Sequence, residues 1–150
     1  MKWNQHLFTC AIAITVLNLV AIFVAVLANW PTQFAGPGTD AGKEFLNSGT
    51  AISQPILPAA LLLVVIWRAR EESSAGWAAV VAAYIAALFI LVRALGEAMA
   101  DPSGDTSKAL MVSSGITWTL IAAGLAALAT AAAKERRRDQ PQPTAKRKAG

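Results

Sequence analysis

Arg93 and Glu97 are the residues of this 150-residue chain best suited to chemistry, because they stand four apart just after an unbroken apolar run, Ala86 to Val92. On a helix that spacing puts both side chains on one face, where they can pair, although Arg before Glu is the weaker order. A guanidinium can instead hold a phosphate or carboxylate through two parallel hydrogen bonds. Ser53, Gln54, Ser113, Ser114 and Thr117 fall at a similar depth once the apolar runs are laid side by side. Together with Arg93 and Glu97 they could line one outward-facing anion or lipid-headgroup pocket. In the plainer reading, Arg93 reaches for the headgroups and pairs with Glu97 without binding any substrate.

Other polar residues offer less. Asn18 lies mid-run, where an amide needs an interhelical hydrogen bond, and Tyr84 is its expected partner by depth. His6 and Cys10 share a helical face, but two ligands do not make a metal site. Asp101 and Asp105 flank Pro102-Ser103-Gly104, a turn whose aspartates bond backbone and whose oxygens are too few for calcium. No phosphate loop, nucleophile elbow or zinc pair accompanies these groups, so no cofactor is expected and enzyme activity is disfavoured. A lipid-active enzyme would have to assemble its site from Arg93, Glu97, Asp101 and Asp105.

The elements that must position these residues are four apolar runs, 7–28, 48–67, 76–95 and 109–133. Each approaches the ~20 residues that a helix needs to cross a hydrocarbon core. Charged residues make up only 15% of the chain and lie mainly between the runs, which excludes a soluble domain of amphipathic helices. The expected fold is an all-α, integral membrane four-helix bundle running up-down-up-down. Small residues recur on run three (Ala79, Ala82, Ala83, Ala86, Ala87) and run four (Gly115, Ala122, Gly124, Ala126, Ala127), a pattern that lets backbones approach closely.

Within run two, Pro55 and Pro58 remove backbone donors, so a kink or broken start is expected near Ser53-Gln54. A helix beginning at Pro55 would be too short to span, so the crossing is expected to include 48–54. Run one ends at Asn29-Trp30-Pro31. Val26-Leu27-Ala28 resembles a signal cleavage site, but the apolar region exceeds the roughly 7–15 residues of a signal, so a retained helix is expected. The outer loop turns at Gly36-Pro37-Gly38, and Asp40 to Asn47 suits a short interfacial helix.

The net charge of +4 comes largely from Lys134, Arg136, Arg137, Arg138, Lys146, Arg147 and Lys148, with Arg68 and Arg70 in the turn after run two. Basic residues beside membrane helices mark the cytoplasmic side, so the chain is expected in the cell membrane with both termini cytoplasmic. Residues 134–150 read as a disordered basic tail, attracted to anionic lipid and not to nucleic acid. Cys10 is a lone cysteine and cannot form an internal disulfide.

Three functional classes fit. The first is an accessory or scaffolding subunit bound to a larger membrane protein. The second is a small homo-oligomeric transporter or channel with an anion or lipid-headgroup site around Arg93. The third is the lipid-active enzyme.

Overall fold

A computed structural model describes residues 2–30, 49–71, 76–101 and 106–139. The elements found there are four α-helices, with no strand among the described residues: α1 (Lys2–Leu27), α2 (Ile56–Glu71), α3 (Gly76–Met99) and α4 (Lys108–Asp139). Helices α1, α3 and α4 are long and apolar enough to cross a membrane, whereas the apolar part of α2, Ile56–Ala69, is shorter.

The helix ends follow from local chemistry. Asn29 takes a left-handed φ of 53°, and the Trp30 N–H bonds back to Ala25 O at 2.8 Å, which closes α1 with a helix-terminating 6→1 bond. Ser107 caps α4 by accepting the Leu110 N–H at 3.2 Å, and the Lys108 ammonium donates to Ala100 O beyond the end of α3. Pro58 sits in the first turn of α2, where its missing N–H breaks no bond.

Two expectations need correction. The second crossing is not one helix over 48–67, because residues 49–55 are non-helical and α2 starts only at Ile56. Pro55 disfavours helical geometry at Gln54, and Gly49 has a φ of 72° at which an added Cβ would lie 2.5 Å from Ser53 O. At ~1.5 Å per residue, α2 is about 24 Å long, short of a core about 30 Å thick. The tail expected to be disordered from Lys134 is instead helical through Asp139. Lys, Glu and Arg are good helix formers, and the Arg136, Arg137 and Arg138 of the last turn also suit the negative end of the helix dipole. The Gly36-Pro37-Gly38 turn, the 40–47 interfacial helix and tail residues 140–150 lie outside the described residues.

The principal packing pairs are α1 with α2, α2 with α3, α3 with α4, and α4 with α1. Along α3 and α4, Gly76 lies against the Arg136 side chain, the Tyr84 hydroxyl bonds Thr130 Oγ1 at 2.7 Å, and Gly115 approaches Ala94 and Ala98. These two helices are therefore antiparallel. Small residues fill the core beside this seam: Ala79, Ala83, Ala87 and Ala94 are buried in one cluster with Ala122, Leu125 and Ala129, whereas Ala82 and Ala86 line the side of α3 that faces α2. Gly124 and Ala127 are exceptions, both exposed.

Gly115 is where the seam tolerates least. A Cβ there would sit 2.8 Å from both Ala94 O and Ala98 Cβ, whereas one at Gly124 meets nothing within 4 Å. Gly115→Val should cost about 1–3 kcal/mol of stability through overpacking. Gly124→Val should be near neutral by comparison. Unfolding of the two variants in mixed micelles checks this, and equal losses would show that the seam does not depend on Gly115.

Candidate functional site

The buried polar residues gather toward one end of the bundle. That end is fixed by the α3–α4 register, which places Gly115 beside Ala94 and Ala98 and leaves Arg136 beside Gly76 at the other. Asn18, Thr50, Ser53, Gln54, Glu97, Thr106 and Ser114 are all buried. The opposite half is filled by apolar groups such as Leu7, Ile66, Ala79, Val80, Ala129 and Ala132.

At the centre of the polar half lies the non-helical segment 49–55. Its tip is a small turn in which Thr50 and Ser53 exchange backbone bonds at 3.3 Å, while their hydroxyls lie 2.7 Å apart. The segment is fastened from both sides. The Asn18 side chain of α1 accepts the Gln54 N–H at 2.7 Å and donates to Gln54 O at 2.9 Å. The Trp118 indole N–H of α4 donates to Ile52 O at 2.9 Å. Irregular backbone removed from water must find such partners, because an unpaired N–H or C=O there is costly.

Asn18, expected to bond Tyr84 between helices, bonds the backbone of Gln54 in the non-helical segment. Tyr84 bonds Thr130 across the α3–α4 seam instead. The amide of Asn18 acts as a surrogate strand edge for a residue that precedes proline and has no helix to join. Sequence reasoning missed Trp118 and Thr50. An indole N–H deep within an apolar run needs an acceptor, and that requirement was the available signal for Trp118.

The residues expected to share one pocket are divided among four places: a cleft, a void, the turn and an ion pair. Ser113, Ser114 and Thr117 line a cleft of about 200 Å³ with Leu17, Ile52 and Trp118, between α1, α4 and the segment. Ser113 and Thr117 donate to carbonyls of their own helix, at Leu110 and Ser113 respectively, while Ser114 Oγ is buried without a hydrogen-bond partner. Gln54, whose side-chain amide is also buried without a partner, lines a separate void of about 10 Å³ with Asn18, Pro58 and Phe89. Ser53 is taken up by the turn.

Arg93 and Glu97 line neither cavity. They form an ion pair at 2.6 Å, with side chains 10% and 0% exposed. An anion at Arg93 would have to compete with a fixed carboxylate, so the anion-site geometry is not preformed. Asp101 is exposed, His6 is exposed and Cys10 is half-buried. No group of three or more His, Cys, Asp or Glu side chains able to hold a metal occurs among the described residues. No family model matches the chain, and neither a curated protein nor a solved structure does.

Proposed function

We propose that this chain is a multi-pass cell-membrane protein that serves as an accessory or scaffolding subunit of a membrane complex, with both termini cytoplasmic and helices running up-down-up-down. The observation that carries this reading is the inward use of its polar groups. Asn18 bonds Gln54, Trp118 bonds Ile52, Thr50 bonds Ser53 and Arg93 pairs with Glu97, all in the service of holding the bundle together. The outward faces carry large apolar side chains, among them Val16, Val20, Phe23 and Leu27 on α1 and Ile116 and Leu120 on α4. Such surfaces suit lipid or the helices of another membrane protein. The Arg-rich end of α4 belongs on the cytoplasmic side by the positive-inside rule.

A second reading, a small homo-oligomeric transporter, draws on the broken start of α2 and the cleft beside Ser114. Broken helices beside binding sites are a recurring transporter device.

Native mass determination after affinity purification of the tagged chain in mild detergent tests the two readings. A stoichiometric larger partner is the expected result, and a homo-oligomer alone would favour transport. Orientation is tested separately. A reporter fused after Gly150 should stay cytoplasmic and one inserted at Gly38 should be exported. Export of the first would reverse the topology.

A further inference from the structure

We infer that the groove between α2 and α3 binds one acyl chain of an anionic phospholipid from the cytoplasmic leaflet, with its headgroup at Arg68. The inference rests on the membrane orientation proposed above. The groove holds about 520 Å³. Its rim is made by Leu57, Leu61 and Ile85, each more than 60% exposed, and its floor by Leu62 and Ala86, both under 10% exposed. Ala82 is small enough to leave the channel open between the helices.

Three features select this occupant. The first is depth. From Leu57 to Val65 the groove extends about 12 Å at 1.5 Å per residue, close to the ~15 Å of one leaflet's hydrocarbon. It cannot continue along α2 beyond Ile56, where the helix begins. A partner helix crossing the whole bilayer would call for a longer seam. The second feature is charge. Leu57, Leu61, Val65 and Arg68 follow one another at spacings of four, four and three, so Arg68 lies on the groove face of α2, one turn past its end.

Arg68 is exposed, as are Lys134, Arg137 and Arg138 at the same end of the bundle. Basic residues at the cytoplasmic rim of an interhelical groove attract anionic headgroups. The third feature is the exposed Trp67 beside Arg68, since indoles sit at headgroup level. A lipid with its chain in the groove therefore finds cation and aromatic where its headgroup must be.

The full chain, reconstituted in vesicles containing a trace of phosphatidylglycerol with a photoreactive acyl chain, should be labelled chiefly within 57–65 and 82–89. Labelling should exceed that from the matching phosphatidylcholine by about fivefold, the equivalent of ~1 kcal/mol for one basic residue at the surface. Arg68→Gln should bring the two lipids toward parity while leaving the labelled positions unchanged. Ala82→Phe, which fills the channel, should move label off both segments.

Label spread evenly over outward faces, including Phe23 and Leu120, would overturn the inference, as would equal labelling by the two lipids in the unaltered chain. Capture of a protein at Leu61 in place of lipid would overturn it in favour of a partner helix. The unaltered chain carries the main result, so the inference does not depend on either variant folding. The Gly150 and Gly38 reporters tell a failed orientation apart from an empty groove.

Discussion

Replacing Asn18 with Leu should cost about 2–5 kcal/mol, because it strips both hydrogen bonds from the buried backbone of Gln54. Leu branches as Asn does but is bulkier, so no cavity opens and the loss comes from the stranded Gln54 groups together with some overpacking. Ordinary side-chain bonds between membrane helices average only about 0.6 kcal/mol, since each helix keeps its own backbone bonds when they separate. Gln54 has no such refuge. It stands outside α2 and precedes a proline, so its N–H and C=O depend on Asn18.

Trp118→Phe should strand Ile52 O and leave a small cavity, for about 1–3 kcal/mol. The double variant should lose less than the sum of the two, because a segment already released from α1 has less to lose at α4. Unfolding free energies in mixed micelles measure all three. A loss below about 1 kcal/mol for Asn18→Leu would show that residues 49–55 are held by something other than these bonds.

How far the sequence carried the fold is clearest at this same segment. Pro55 and Pro58 announced a broken start to run two, and the break lies where they require it. The need for about 20 apolar residues nonetheless argues for a helix from 48, because length along the chain does not show that a segment folds back into the bundle. Folded back as a buried turn, residues 49–55 occupy space between α1 and α4 instead of adding height to α2. The small-residue seam of α3 and α4 was legible because close packing needs small side chains at helical spacing. Gly124 shows the limit, since spacing does not identify which small residues face the partner. Depth likewise grouped Ser113, Ser114, Thr117, Gln54 and Arg93 at one level. Rotation about the helix axes, and for Gln54 the break before Ile56, separates them into a cleft, a void and an ion pair, and rotation is what a run apolar all round does not reveal.

Arg93→Leu should be the most damaging single substitution on α3, because it leaves the carboxylate of a fully buried Glu97 without its counter-charge. Breaking a buried pair from one side costs about 3–5 kcal/mol, whereas replacing both partners by apolar groups is often neutral or stabilising. The double variant Arg93→Leu with Glu97→Leu should therefore recover most of the loss, to within about 1 kcal/mol of the parent. This asymmetry separates the two roles considered for Arg93. If it serves only to neutralise Glu97, the double variant is stable and still binds whatever partner the parent binds. If its guanidinium instead holds an anion during transport, the double variant folds but loses the flux. A double variant as unstable as Arg93→Leu alone would mean that Arg93 supports the bundle through contacts other than Glu97. The ion pair would then be incidental to the fold.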